Sequence, residues 1–372
     1  MCAHIIRQAD RFVRSNPGSR PDLPPSLAAH LPHDAEIVVQ APGRANLIGE
    51  HTDYNGGFVL PVALELRTVV AGRRSDRIRL RSVGHEGTVE IDPSGVAGPT
   101  TGWGRYVTAV FEVLRDDGRR VRGIDGVIAS DVPSGTGLSS SAALEVAVAL
   151  ALLDEPITPL ELALLCRRAE NIGVGVQSGI MDPLASAAAK AGFALFIDCT
   201  TLETSAVPMA DDLRLLVIDS GQRRELSGGD YNLRRAECEQ AARLLGVGSL
   251  REVSAGDLDG APLPEPLASR ARHVVSENAR TLATVEAFRT DDRRAIGDLF
   301  AASHASLAVD FAVSTPELDA LVEIAAAVDG VIGARMTGTS SWRARRRPSH
   351  RLRIADSPLG MSVSASTYHG PT

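Results

Sequence analysis

The sequence of 372 residues has almost no lysine: of its 39 lysine and arginine residues, all but Lys190 are arginine. Lys190 lies in the segment AAAKAGF, and no GxxxxGK pattern surrounds it. P-loop enzymes, protein kinases and enzymes that form a lysine Schiff base each need a lysine at a defined position in the site. The sequence therefore argues against these three classes of enzyme.

Cysteine pairs and long apolar runs are also missing. The four cysteines are scattered without a CxxC pair, which argues against a zinc site and a disulfide framework. No apolar run reaches the roughly 18 residues that a membrane-spanning helix needs, and the N-terminal segment lacks the apolar core of a signal peptide. The net charge of −7 argues against general nucleic-acid binding. We therefore expect a cytoplasmic protein that binds neither nucleic acid nor membranes. We also expect a monomer, although none of these features determines the oligomeric state.

The length of the chain exceeds what one hydrophobic core usually supports, so we expect two domains. The hydrophobic fraction of 44% is typical of a globular protein. Strand-like and helix-like segments follow one another without a regular βαβ order, which favours an α+β fold. We place the domain boundary at residue 205, so that the domains cover 1–205 and 206–340. Residues 341–372 form an arginine-rich tail, which we expect to be disordered.

Apolar periodicity and turn residues predict the secondary structure. An amphipathic run favours a short helix at 4–14, and the prolines between residues 16 and 34 predict a surface loop. Thr158 is a suitable N-cap for a helix that starts with Pro159. The predicted strands cover 37–40, 66–73, 77–83, 126–133, 194–200 and 214–220. The other predicted helices cover 104–116, 229–245, 266–289, 292–308 and 315–328.

A loop rich in glycine and serine, residues 135–141, runs directly into a long apolar helix. Glycines can adopt positive φ angles and let the backbone approach an anion. The first N–H groups of a helix lack partners within the helix, and the helix dipole favours negative charge there. The loop could therefore hold a phosphate without any lysine, with a serine hydroxyl reaching Mg²⁺. An ordinary serine N-cap after a turn explains this pattern equally well at this point.

A dense group of polar residues lies between two apolar strands, in the segment 41–57. Carboxylates accept hydrogen bonds from hydroxyls, and histidine can donate or accept. Such a group predicts a site for a small ligand with many hydroxyls, and a solvated turn is the weaker alternative. Asp182 is a lone carboxylate among apolar neighbours and could take a proton from a sugar hydroxyl. Glu170 could bind a metal ion or form a salt bridge with a neighbouring arginine.

Four segments resemble those of the galactokinases, a family of the GHMP kinase superfamily. They are APGRANLIGEHTDYNGGFVLPVAL, GLSSSAALEVAVAL, AENIGVGVQSGIMD and SGGDYNLRRAECEQA. The first is specific for galactokinases, whereas the second is shared by the whole superfamily. The resemblance runs from about residue 36 to residue 338. It implies an N-terminal domain similar to ribosomal protein S5 domain 2 and a ferredoxin-like C-terminal domain.

The resemblance also implies an activity and roles for the matching residues. The activity is ATP-dependent phosphorylation of D-galactose at the anomeric hydroxyl, giving α-D-galactose 1-phosphate and ADP. Asp182 would accept the proton and Arg44 would stabilise the transition state. The residues implied to bind the sugar are Glu50, His51, Thr52, Asp53 and Tyr231, with Gly49 and Thr52 holding their loop. Those implied to bind ATP are Gly135, Thr136, Gly137, Leu138, Ser139, Ser140 and Ser141, and those implied to bind Mg²⁺ are Ser141 and Glu170.

The sequence departs from the galactokinase pattern at two places. Pro183 follows Asp182 where the family usually has Gln, and proline is acceptable there as the first residue of a helix. The third family motif begins as GARMTG at 333–338, after which TSSWRARRR replaces the family's glycines and apolar strand. This abrupt change suggests a change of reading frame in the gene, and a divergent natural tail is the alternative.

Two other functions stay open at this point. One is a kinase of a related sugar, such as N-acetylgalactosamine, galacturonate or arabinose. The other is a catalytically impaired galactokinase-like protein that binds sugar and ATP, which the altered third motif favours. The presence of Arg44, Ser141, Glu170 and Asp182 argues against a dedicated sensor.

Overall fold

The computed structural model describes residues 2–6, 13–14, 23–92, 101–220 and 229–338. The arginine-rich tail predicted at 341–372 lies outside these ranges, as does the predicted loop up to residue 22. Within the ranges, no helix combines the length and apolar character needed to cross a membrane.

Strands and helices are mixed along the chain. The strands are β1 (Cys2–Ile6), β2 (Val13–Arg14), β3 (Ile37–Asn46), β4 (Phe58–Val59), β5 (Pro61–Ser75), β6 (Ile78–Ser82), β7 (Thr88–Ile91), β8 (Gly123–Ser130), β9 (Phe193–Asp198), β10 (Thr204–Pro208) and β11 (Leu215–Asp219). The helices are α1 (Pro25–Ala28), α2 (Gly104–Asp116), α3 (Ser140–Leu152), α4 (Pro159–Gly173), α5 (Met181–Ala188), α6 (Gly229–Leu245), α7 (Ala255–Leu258), α8 (Leu267–Arg289), α9 (Arg293–Val309) and α10 (Pro316–Ala326).

The long helices lie where the sequence predicts them, whereas the segment predicted to form the first helix contains strands. The helix predicted at 4–14 is wrong, because β1 pairs with β11 and β2 pairs with β3 in this part of the chain. An amphipathic pattern of this length does not determine its own structure when another strand offers backbone partners. The predicted cap of α4 is confirmed: the Thr158 side chain accepts a hydrogen bond from the Glu161 N–H in a capping box.

A six-stranded sheet, in the order β2-β3-β5-β8-β6-β7, forms the centre of the N-terminal half. Every residue of β3 is buried, because α3 and α5 pack against this strand and Leu27 and Leu31 cover the opposite face. Helix α3 is apolar around most of its circumference, as expected of a helix enclosed by other elements. The complete burial of β3 and the apolar surface of α3 thus reflect enclosure by other elements on both sides.

The second half of the chain is mainly helical. Helix α8 packs against α6 and α9, and it also contacts the short strands β4 and β10. The boundary predicted at residue 205 stays a prediction. Residue 205 lies within β10, which pairs with β9, so this hairpin belongs on one side of any division.

Four chain segments meet at one place because of this arrangement. β3 carries Arg44, and its irregular pairing with β5 between Pro42 and Arg44 brings its backbone against Leu138. Helix α3 follows the glycine–serine loop, defined here as residues 135–141, and helix α5 carries Asp182. Met181 starts α5, so Pro183 is its third residue rather than its first. Proline fits there because the first few N–H groups of a helix have no partner within it.

Candidate active site

A cavity of about 1100 Å³ lies where β3, α3 and α5 meet, a volume just above the usual range for small-molecule sites. Most of the predicted site residues line it. They are Arg44, Glu50, His51, Asp53, Gly135, Gly137, Ser139, Ser140, Ser141, Glu170, Asp182 and Tyr231. Thr52, Thr136 and Leu138 are outside this lining.

Arg44 and Asp182 form a two-pronged ion pair in the cavity. Arg44 Nε donates to Asp182 Oδ1 over 2.8 Å, and Arg44 Nη2 donates to Asp182 Oδ2 over 2.7 Å. Parallel bonds of this kind set the relative orientation of both groups. Burial lowers the pKa of Arg44, but the charges of Asp182, Glu50 and Asp53 outweigh it and raise that pKa above its ordinary value. The guanidinium is therefore a fixed positive charge among carboxylates.

The glycine–serine loop is attached directly to this ion pair. Ser139 donates its hydroxyl hydrogen to Asp182, and Arg44 donates from Nη1 to the Gly137 carbonyl oxygen. The Arg44 N–H donates to the Leu138 carbonyl oxygen over 3.1 Å. Gly135 and Ser139 have φ angles of 74° and 58°, so the loop uses the left-handed region that glycine favours. Helix α3 then begins at Ser140 with its first N–H groups facing this region.

Ser141 and Glu170 present neighbouring oxygen atoms in the cavity. Ser141 Oγ donates to Glu170 Oε1 over 2.9 Å, and burial raises the pKa of Glu170. Within the described ranges, no group of three or more His, Cys, Asp or Glu side chains could hold a metal ion. Mg²⁺ prefers oxygen ligands and is often held by one or two protein groups together with phosphates. The donor set at Ser141 and Glu170 therefore fits Mg²⁺ only in company with a phosphate ligand.

Residues 47–58, defined here as the signature loop, are held tightly from within. The Thr52 hydroxyl lies 2.8 Å from the Gly49 carbonyl oxygen and 2.6 Å from that of Phe58. The Asn55 amide donates to the His51 carbonyl oxygen over 2.8 Å. Thr52 is fully buried. Thr52 therefore stabilises the closed shape of this loop, and its hydroxyl faces the backbone rather than the cavity.

The Glu50 side chain is fixed by the third family motif. Glu50 Oε1 accepts hydrogen bonds from Thr337 Oγ1 over 2.9 Å and from the Gly338 N–H over 3.2 Å. Arg335 Nη2 lies 3.5 Å from the same oxygen. The part of the motif that matches the galactokinase pattern is thus the part that contacts Glu50. The sequence motifs did not reveal this connection between distant segments.

His51 lies in a cluster of aromatic rings. His51 Nδ1 is 2.8 Å from the Tyr54 hydroxyl, and the ring centroids of Tyr54 and Tyr231 are 5.2 Å apart. The Phe311 ring lies 4.5 Å from the His51 ring. Tyr231 lines the cavity, and its contact with the sugar stays a prediction. Tyr54 and Phe311 belong to the same cluster, although sequence reasoning did not single them out.

Asp53 lies among other carboxylates. Burial raises its pKa to about 7, and the negative charges of Asp182 and Glu50 contribute to the shift. Gly179 packs against this side chain so closely that an added Cβ would overlap the Asp53 carboxylate. Gly179 therefore leaves room for Asp53 beside the start of α5.

Sequence analysis did not identify the buried polar residues on two of the helices. Both carboxyl oxygens of Glu145 in α3 are buried, and neither has a hydrogen-bond partner in the described part of the chain. Burial, followed by the charges of Glu170 and Asp182, raises the Glu145 pKa well above its ordinary value, which favours the protonated form. Glu277 in α8 is fully buried as well. The only signal was an acidic residue at a position that the helical period assigns to an apolar face.

Family models match three parts of the chain. They are the galactokinase galactose-binding signature at residues 29–74, the GHMP kinases N-terminal domain at 105–190 and the GHMP kinases C-terminal domain at 284–341. The galactokinase of Chloroflexus aurantiacus is 46% identical over 319 residues, which are 82% of this chain and 82% of the relative. That of Chloroflexus aggregans is 47% identical over 314 residues, or 81% and 80% of the two chains.

The chain belongs to the galactokinase family. A solved member of the galactokinase family has the same fold: the crystal structure of Lactococcus lactis galactokinase complexed with galactose gives a TM-score of 0.75 at 34% identity, covering 81% of this chain and 82% of that one. The mevalonate kinase of Methanococcus jannaschii, at 17% identity and a TM-score of 0.55 over 83% and 89% of the chains, shares the fold alone. The predicted α+β fold with two GHMP domains is confirmed.

The match to the family ends close to where the galactokinase pattern stops. The C-terminal domain model reaches residue 341, and the motif GARMTG ends at Gly338. Within that motif, Gly338 packs against the glycine–serine loop: a Cβ added to Gly137 would lie 3.2 Å from the Gly338 Cα. The portion of the third galactokinase motif that this chain keeps therefore contacts both the signature loop and the glycine–serine loop.

Proposed function

We propose that this chain transfers the γ-phosphoryl group of ATP to the anomeric hydroxyl of D-galactose, giving α-D-galactose 1-phosphate and ADP. The ion pair of Arg44 and Asp182 carries this proposal. It lies between the signature loop, which presents hydrogen-bonding groups for a sugar, and the glycine–serine loop, which presents helix N–H groups for phosphates. Both members of the pair are bonded to the glycine–serine loop. A hydroxyl held at Asp182 therefore lies next to a phosphate held by the loop.

The reaction requires a proton acceptor and a positive charge at this junction. Asp182 takes the proton of the anomeric hydroxyl while that oxygen forms a bond to the γ-phosphorus. The bond from the γ-phosphorus to the oxygen that bridges it to the β-phosphorus breaks, and this oxygen leaves with ADP. Arg44 offsets the negative charge that develops on the transferring group. Because little covalent chemistry is required of the protein, positioning supplies much of the acceleration.

The remaining site residues bind the two substrates. Glu50, His51, Asp53 and Tyr231 contact the sugar, and Thr52 and Gly49 hold the signature loop in place. The main chain from Gly135 to Ser141 holds the triphosphate. Ser141 and Glu170 would hold Mg²⁺, which when bound neutralises charge on the phosphates. The cytoplasmic location and the monomeric state stay predictions.

The proposed activity is tested by measuring ADP release with ATP, Mg²⁺ and a panel of sugars. We expect release with D-galactose and much less with N-acetylgalactosamine, galacturonate or arabinose. Asp182→Asn should lower kcat roughly 10²- to 10⁴-fold, because the proton acceptor is lost while the shape of the side chain is kept. Asp198→Asn, which changes an acid at the end of β9, is the matched control and should retain activity.

Two results would contradict the proposal. Full activity of Asp182→Asn would exclude that residue as the proton acceptor. Binding of galactose and ATP by calorimetry without any ADP release would show that the chain binds both substrates but does not catalyse the transfer.

A further inference from the structure

Helix α8 passes behind the signature loop and carries three buried polar side chains that contact it. His273, Glu277 and Asn278 are at most 8% exposed. His273 and Glu277 are one helical turn apart and lie on the same side of the helix, and Asn278 is the next residue, about 100° further round the axis. Polar groups buried at this depth are unfavourable unless they have partners. Their partners are backbone groups of the signature loop.

Glu277 accepts hydrogen bonds from two successive N–H groups of the loop. Its Oε1 is 3.0 Å from the Gly49 nitrogen and 3.3 Å from the Glu50 nitrogen. The Ser303 hydroxyl donates to the same oxygen over 2.7 Å, and Arg280 Nε donates to Oε2 over 2.7 Å. Burial by itself would raise the pKa of Glu277. The charge of His273 in its protonated form, the charges of Arg335 and Arg280, and the Ser303 hydroxyl lower that pKa to about 2. Glu277 is therefore a charged acceptor whose oxygens are all occupied by donors.

His273 and Asn278 extend this support along the loop. Burial lowers the pKa of His273 to about 4, so the ring is neutral near pH 7, and its Nε2 lies 3.1 Å from the Glu50 carbonyl oxygen. The Asn278 side-chain oxygen accepts the Phe58 N–H over 3.0 Å. An added Cβ on Gly57 would overlap that same oxygen. Both ends of the signature loop thus depend on α8.

The peptide groups on both sides of Glu50 are consequently held by α8. The Glu50 N–H bonds to Glu277 and the Glu50 carbonyl oxygen bonds to His273, while Thr337 and Gly338 hold the Glu50 carboxylate. Removing the Glu277 carboxylate would leave two buried N–H groups without an acceptor. The loop would move to find new partners, and a displacement of about 1 Å is enough to cost about 100-fold in activity.

We propose that His273, Glu277 and Asn278 are positioning residues that set the affinity for the sugar by fixing the backbone of the signature loop, with Glu277 the most important. This inference rests on the proposed function, because it takes Glu50 as a sugar ligand. It extends that function to a helix of the C-terminal half of the chain. Substitution of an α8 residue that only supports the fold would lower stability, but it would not weaken the affinity for one substrate more than that for the other.

The test measures the Kd of D-galactose and of an ATP analogue by calorimetry, together with KM for each substrate and Tm. Glu277→Ala should weaken galactose binding at least about 10-fold, while the nucleotide constants change less than about 2-fold. Glu277→Gln keeps an oxygen acceptor for the loop and should restore most of the galactose affinity. Leu267→Ala, a buried core change in the first turn of α8, is the destabilising control and should lower Tm with both affinities unchanged.

Different outcomes separate this inference from the proposed function. An unchanged galactose Kd in Glu277→Ala, or an equal loss of both affinities, would overturn the inference. If Glu277→Ala does not fold, Asn278→Ala replaces it: weaker galactose binding with normal nucleotide binding supports the inference, and normal galactose binding overturns it. Absence of ADP release by the wild-type chain would count against the proposed function. The inference would still be tested in that case, because the galactose Kd of the wild type and of the variants is measured without catalysis.

Discussion

The signature loop and the glycine–serine loop line the same cavity, yet they are held in different ways. A Cβ added to Gly49 in the signature loop would overlap the Phe58 carbonyl oxygen and come within 2.8 Å of the Val59 Cα. At Gly135 in the glycine–serine loop, an added Cβ would meet nothing within 4 Å. The φ angles of these glycines are 95° and 74°, so both backbones lie in the left-handed region. What differs is the packing around them.

This difference follows from what each loop presents to its ligand. A helix leaves the N–H groups at its start unpaired, so those of α3 are available to a ligand. In the glycine–serine loop, Gly135 is open, whereas Gly137 and Ser139 are held by Arg44 and Asp182. The signature loop presents side chains that must match individual hydroxyl groups, and a polar site discriminates between ligands only when its groups are held in place. Its support comes from α8 and the third motif, more than 200 residues away.

Gly49→Ala should distort the signature loop and have the largest effect on stability of the three substitutions. The variant combines backbone strain at positive φ with overlap at Phe58, so we expect a loss of about 2–5 kcal/mol in the free energy of unfolding. The KM for galactose should rise more than the KM for ATP. Urea unfolding and steady-state kinetics measure both effects. An unchanged unfolding midpoint would show that the loop is not tightly packed.

Asp53→Asn tests how the charge of Asp53 in the signature loop makes the stability of the protein depend on pH. The pKa of Asp53 is raised from 3.8 to about 7 in the folded protein, so the native state binds this proton more tightly than the unfolded state does. Its contribution to stability is therefore complete below about pH 4 and is lost as the pH rises through about 7.

The neutral asparagine lacks this dependence. The advantage of Asp53→Asn over wild type should grow between pH 4 and pH 7 and then level off, with an upper bound of about 4 kcal/mol. Thermal unfolding across this pH range measures it. Glu65→Gln, which changes an exposed acid of β5, is the control and should show no such trend. A difference that shrinks as the pH rises would refute the assignment.

Gly135→Ala should have the smallest effect of the three substitutions. The added methyl group has free space, so only the backbone strain remains, which costs about 1–2 kcal/mol. We expect a modest rise in the KM for ATP and no change in the KM for galactose. If this variant is as destabilised as Gly49→Ala, the contrast between an open loop and a packed loop is wrong.

Some parts of the site could be predicted because they depend on neighbours in the sequence. The cap at Thr158 and the passage from the glycine–serine loop into α3 are local patterns, with partners a few residues apart. The density of polar residues in 41–57 indicated a ligand site, and the specific signature within it indicated the galactokinases. Thr52 was expected both to bind the sugar and to hold the loop; its hydroxyl bonds to the loop backbone, and its contact with the sugar stays a prediction.

The amino-acid sequence alone determined the helices with strong periodicity, the glycine–serine loop and the family, because each depends on local spacing or on a contiguous motif. Only the tertiary structure decided that Arg44 meets Asp182 across 138 residues and that Glu277 holds Gly49 across 228. It also decided that the N-terminal segment forms strands. The physical reason is that a hydrogen bond between distant segments depends on how helices and sheets pack. From the sequence alone, a charged residue is expected to be exposed to solvent, because its buried partners are not known.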